Sequence, residues 1–360
     1  MPRQPSLAPT PPSWPYCGDD PSPERPFGCP GIHVPGHTAC LAHLDSSDRD
    51  AYLAGLDPGS GIDHRGTSFT EPLLDALLAV LRDPATGNPR IGDARFESAT
   101  FEGDAWFESA TFGGDAWFES ATFGGDAWFG SATFKGDAEF GSATFKGDAE
   151  FVSATFERAS TLGPLVCVGR VKLSGAVFSR PVTLSFAAFH VECRRTRWSS
   201  TAEVRLRYAT VDFAHAVFEY PLTIAAGQEP FVLAGGQLVT EAPLAGLPDA
   251  AVRLASLRGV DAGPSDPRRH RPLRLFAHRD RAPGPDTPGG HLFLRNCPAR
   301  HTLAGRGTGA VHPASHACRR APLARSAAGS GPRLALGDAR RRACGACATG
   351  AGVPGTAQGV

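Results

Sequence analysis

A mainly β solenoid is the fold class that residues 90–225 predict, and three observations carry it. Twelve Ala-Xaa-Phe triplets run from Ala94-Arg95-Phe96 to Ala154-Thr155-Phe156 on an alternating five-then-six spacing, which gives an eleven-residue unit such as 104–114. The small-Xaa-large pattern sets two side chains on one face at the period of a strand. Each unit also holds glycine, a Thr and a Gly-Asp step, all of which oppose the three-turn helix that shares this apolar period. One unit cannot bury its own apolar residues, so copies must stack to form a core.

The rhythm continues past Phe156. Leu162, Cys167, Leu173, Phe178, Leu184 and Phe189 keep the spacing, with Leu165, Val171, Ala176, Val182 and Ala187 in the small inward slots. The phase slips near His190 and resumes at Tyr208, Phe213, Phe218 and Ile224, so the solenoid is expected to end near residue 225, with a degenerate continuation over 226–261.

These triplets resemble the pentapeptide-repeat family, in a Phe-rich, actinobacterial-type variant with an eleven-residue double unit. Known members form a right-handed four-sided β-helix. The resemblance implies that Ala94, Ala99, Ala105 and Ala110 are the small inward residues of their pentads. It implies a buried ladder of Phe96, Phe101, Phe107, Phe112, Phe118, Phe123, Phe129, Phe134, Phe140, Phe145, Phe151 and Phe156. The chain departs from the family pattern by an extra Asp after every second pentad, at Asp104, Asp115, Asp126, Asp137 and Asp148, so a coil of 22 residues is expected over 91–189. Such an Asp accepts backbone N–H groups at a turn; the sharper alternative is a calcium column at Asp93, Asp115 and Asp137.

Outward positions carry any binding role. Trp106, Trp117 and Trp128 lie between the inward residues, with Trp106 and Trp128 expected on one face and Trp117 on the opposite one. Two readings stand: each ring lies flat and shields its coil, or the rings anchor a partner. Glu97, Glu108 and Glu119 are the acidic positions beside them.

Ahead of the repeats, residues 1–36 are rich in Pro and Gly, and 37–89 read as a helical cap. One helix is predicted over Asp48–Leu56, opened by Ser47. A second is predicted over Glu71–Arg82, opened by Ser68 or Thr70 and stopped by Asp83-Pro84. The stripe Leu73, Leu74, Leu77, Leu78 and Leu81 suits covering the first coil. Cys17, Cys29, Cys40 and His43, with His37 and His33 in reserve, are candidate ligands for one structural zinc. Buried free cysteines are the plainer reading. Without a signal peptide or a long apolar run, disulfides and membrane insertion are not expected, and a cytoplasmic location is.

A formal net charge of zero conceals segregation: −5 over residues 1–90, −9 over 91–160, +2 over 161–261 and +12 over 262–360. Residues 262–360 contain no Lys, Glu, Trp or Tyr, and their composition predicts disorder. They read either as a basic, nucleic-acid-binding tail or as the product of a reading-frame shift in GC-rich DNA; the shift is favoured. The lone pair Cys344 and Cys347 is given no role. No Walker loop, GxSxG elbow, HExxH or dinucleotide fingerprint occurs, so enzymatic readings find little support. The expectation is a non-enzymatic scaffold that binds a protein partner, with neither nucleic acid nor a membrane expected as a target. Two alternatives remain: a DNA-mimicking protein that occupies gyrase or a topoisomerase, a role some acidic relatives have, and the accessory domain of an enzyme whose catalytic part is missing.

Overall fold

The computed structural model describes residues 10–227, 229–233, 235–246 and 251–261, together with the backbone of the strand Arg274–Phe276. From Ile62 onward, short parallel strands recur in four columns that wind around one apolar core. The first column pairs Ile62 with Ala94, Ala116 and Ala138. The second pairs Phe69 with Phe101, Phe123 and Phe145, and then with Cys167 and Ala188. The third joins Ala105, Ala127, Ala149, Val171, Val191 and Val211. The fourth joins Ile91, Phe112, Phe134, Phe156, Phe178, Trp198 and Phe218.

All twelve repeat phenylalanines are buried, and rings related by one coil stack nearly parallel. Phe118 lies 4.9 Å from Phe140, Phe123 lies 4.5 Å from Phe145, and Phe112 lies 4.8 Å from Phe134. These distances are the spacing of paired strands carried into the core. Rings of adjacent columns meet edge to face, as Phe118 and Phe129 do at 5.5 Å, the arrangement that ring quadrupoles favour. The fourth ladder includes a tryptophan: Trp198 stacks 4.3 Å from Phe178 and donates its indole N–H to Thr196 Oγ1, and Phe218 follows it at 5.8 Å.

Two kinds of corner alternate. At the tight one, exemplified by 107–110, the Ala110 N–H donates to the Phe107 carbonyl, and Ser109 takes a left-handed φ of 56°. At the wide one an extra Asp is accommodated, and it bonds forward to the next coil. Asp104 Oδ1 accepts the backbone N–H of Asp126 at 2.8 Å, and Asp126 Oδ1 accepts that of Asp148 at 2.7 Å. A second ladder runs through Asp93, Asp115 and Asp137. The aspartates are therefore turn acceptors as expected, acting between coils.

The 22-residue coil holds as far as Leu184, close to the expected limit of 189. Strand partners 22 positions apart give way to partners 20 apart, with register shifts between Leu162 and Leu165 and between Cys167 and Arg170. Val177 already pairs with Arg197, and Ala202 with Leu222. The shortening falls after Leu184, where the inward residues Ala188, Cys193 and Trp198 no longer keep the six-residue steps of the earlier coils. This overturns three expectations. Phe189 is 42 % exposed, because Ala188 takes the inward slot below Cys167. Ala187 is buried, but outside the coil against Val166, Val239 and Leu244. Tyr208 is half-buried with a left-handed φ, and Ala209 points inward in its place.

The solenoid also starts earlier and ends later than the repeats suggest. Ile62–Asp63 and Ser68–Phe69 already form two sides of a coil, and Phe69 stacks 5.4 Å from Phe101. Ile62 stands 32 positions before Ala94 because helix α2 (Glu71–Val80) is inserted into that coil. Helix α1 spans Ser46–Ala54; Asp45, two residues before the expected opener, caps it by accepting the Asp48 N–H at 2.9 Å. Helix α2 stops two residues short of the expected Arg82 and buries Leu73, Leu74, Leu77 and Leu78. Its Glu71 Oε1 accepts the Asp104 N–H at 3.0 Å, standing where an aspartate of a previous coil would stand. At the other end, Arg253–Ser256 pairs with Thr210–Asp212, Asp261 bridges to Val217, and Arg274–Phe276 pairs with Thr223–Ala225. Strand pairing thus passes residue 225 and enters the segment expected to be an unstructured tail. The rest of that expectation, with the frame-shift reading, lies outside the described residues.

Candidate functional sites

Two places gather side chains beyond what the core needs. The first lies ahead of the helices. Tyr16 and Ile32 form an antiparallel bridge, and Cys17 donates its N–H to the Gly31 carbonyl at 2.8 Å. Gly18 donates to Cys29 O and Cys29 to Asp19 O, so the two arms of this hairpin hold Cys17 and Cys29 side by side. A tight turn follows, in which His43 and Leu44 both donate N–H groups to the Cys40 carbonyl. The thiols of Cys17, Cys29 and Cys40 and a ring nitrogen of His43 lie within 4.8 Å of one another. Cys29 Sγ is 3.8 Å from Cys40 Sγ, and His43 Nδ1 is 3.4 Å from both Cys17 Sγ and Cys40 Sγ. A side chain at position 31 would strike the Cys40 thiol, so glycine is required there.

A hydrogen bond from the Cys40 thiol, supported by the Gly31 N–H, brings the Cys29 thiol down to about 5. The same contact, with burial, pushes Cys40 up. Burial raises Cys17. The reserve imidazoles are engaged elsewhere: His37 pairs with Asp48 at 3.2 Å, and His33 Nε2 contacts the Tyr16 carbonyl at 2.8 Å. Cys167 and Cys193 sit in the solenoid core, where burial raises both thiols, Cys167 to about 12. All five cysteines among the described residues are free thiols.

The second place is the outer side of the third column. Trp106 is 42 % exposed and stacks on Trp128 at 4.9 Å with the rings 4° apart. Below them the column turns charged, with Glu150 and Lys172 in register, and Lys172 also bridging to Asp148 at 2.9 Å. The Trp128 indole N–H is buried and has no hydrogen-bond partner among the described residues. On the opposite column Trp117 is half-buried under the Arg95 guanidinium, 5.0 Å from the ring centre. Glu108 and Glu119 are exposed at corners. Glu97 is half-buried beside Arg95, and burial raises its carboxyl. Trp106 and Trp128 therefore form a stacked pair, while Trp117 is covered by its own cation.

A third feature had no signal in the repeat. On the outer side of the second column, Val239 and Leu244 pack on Val166 and Ala187. Arg207 holds Glu241 through two hydrogen bonds, 2.6 and 2.8 Å long, and Tyr208 adds a third. The segment 239–246 is thereby latched over that face. Only its apolar residues were readable in advance, since nothing in the sequence pairs Arg207 with Glu241.

None of the described helices is long and apolar enough to cross a membrane. Residues 91–133 match the family model for pentapeptide repeats, with nine copies. No curated protein and no solved structure matches the chain.

Proposed function

Taking as premise that the chain is a pentapeptide-repeat protein, we propose that its solenoid is a non-enzymatic scaffold whose outer third column binds another protein. The observation that carries this reading is the Trp106–Trp128 stack, in which a large aromatic surface stays exposed on a backbone fixed by coil-to-coil hydrogen bonds. Rigid aromatic area binds at little entropic cost. The exposed carboxylate of Glu108, close in sequence to Trp106, favours a partner that offers Arg or Lys, since a guanidinium satisfies both an aromatic face and a carboxylate. Free thiols throughout the described residues support a cytoplasmic setting.

A DNA-mimicking role at a topoisomerase draws support from the net charge of −9 over residues 91–160. The ladder aspartates serve it poorly, because one oxygen of each is already committed to a backbone N–H. Affinity capture separates the readings: full-length chain and its Trp106→Thr/Trp128→Thr variant are exposed to soluble extract of the native host. Proteins recovered by the wild type and lost by the variant support the scaffold. Recovery of a topoisomerase by both chains supports mimicry, and identical recovery of other proteins by both rules out this surface.

A further inference from the structure

The hairpin and turn at residues 16–44 form a closed metal site, and we infer that Cys17, Cys29, Cys40 and His43 Nδ1 bind one structural zinc ion. A tetrahedral zinc with bonds of about 2.3 Å to sulfur and about 2.0 Å to nitrogen has S···S edges of ~3.8 Å and S···N edges of roughly 3.5 Å. The Cys29–Cys40 and both thiol–imidazole separations already have these lengths, 3.8, 3.4 and 3.4 Å. The surroundings match as well. The Gly31 N–H points to Cys29 Sγ at 3.4 Å, as backbone donors do toward metal-bound thiolates.

Four protein ligands leave no open position, which assigns the metal to structure and away from catalysis. The position of the site defines what the metal holds. Cys40 and His43 flank Leu41, and Leu44 follows directly; both leucines are buried in the same core cluster as Val34, the α2 leucines and Phe69. Zinc there ties the hairpin to the turn that feeds this cap, and so fastens the cover of the first coil.

The test uses the full chain purified without chelators. Zinc content is compared with that of Cys17→Ser and His43→Gln, both at positions with solvent access, and of His43→Cys, which retains four ligands. The wild type is expected to hold one equivalent more than either disrupting variant, and His43→Cys to keep it; counting the difference removes any contribution from cysteines of residues 262–360. Cobalt substitution of the wild type should give the thiolate charge-transfer and tetrahedral ligand-field bands, and those bands should be missing from His43→Gln. Equal metal content in the wild type and both disrupting variants would overturn the inference. A Cys29–Cys40 disulfide in the native chain would do the same.

Discussion

Asp93 Oδ1 accepts the backbone N–H of Asp115 at 3.1 Å, and the same oxygen occupies the space into which a side chain at Gly114 would project. One contact therefore explains both residues of the recurring Gly-Asp step. The aspartate supplies an acceptor to the next coil, and the glycine before it makes room for the acceptor of the coil above. The pattern repeats at Gly125 with Asp104, Gly136 with Asp115 and Gly147 with Asp126.

A double-mutant cycle checks this coupling. Gly114→Ala is expected to destabilise the chain strongly while Asp93 is present, and much less in an Asp93→Ala background. Asp93→Ala alone should cost about 1–3 kcal/mol, the penalty of leaving the Asp115 N–H unpaired. Chemical denaturation of the four chains should give a coupling energy of roughly 0.5–3 kcal/mol; strict additivity would mean that the two residues act independently.

The middle of the ring ladder should be the least tolerant position. Phe118 is fully buried between Phe96 and Phe140. Phe118→Ala should cost about 3–5 kcal/mol through lost transfer energy and a cavity, and Phe118→Asp should prevent cooperative folding of the neighbouring coils. Thermal unfolding followed by circular dichroism reads both outcomes.

Acid should weaken the cap. His64 is buried against the rings of Tyr52, Phe69 and Phe96, and burial lowers its pKa to about 4 from an ordinary 6.5, with Asp63 opposing the shift. Between these values the unfolded chain binds the proton and the folded chain does not, so stability falls as pH drops from 6.5 toward 4. The loss approaches about 3 kcal/mol at the lower end. His64→Phe should flatten this part of the pH–stability curve relative to the wild type, measured as denaturation midpoints at matched pH values.

The core was legible because its signal is periodic: twelve triplets set every phenylalanine ladder and the alternation that leaves Trp106 outside. The switch from 22 to 20 residues per coil was not, since Leu162, Leu173, Phe178 and Leu184 keep the longer count up to the switch and give no sign of it. Phe189 went astray for this reason, as a single omitted residue moves a side chain from the inner face to the outer. The half-coil at Ile62 and Phe69 was hidden by the helix inserted after it. Among the candidate ligands the residue types were readable, with His43 placed ahead of His37; the turn at Cys40 that sets His43 beside the thiols, and the Asp48 that engages His37, were not.

The scaffold reading meets its most direct test in the affinity of the Trp106→Thr/Trp128→Thr chain for the partner that the wild type captures. Titration by calorimetry, beside thermal melts of both chains, separates a binding surface from a shielding one. The account predicts that affinity falls by at least about tenfold, as losing aromatic anchors entails, while the melting temperature stays nearly unchanged, because Thr suits an outward strand position. Unchanged affinity with a melting temperature lowered by several degrees, the signature of ~1–2 kcal/mol of lost burial, would contradict it.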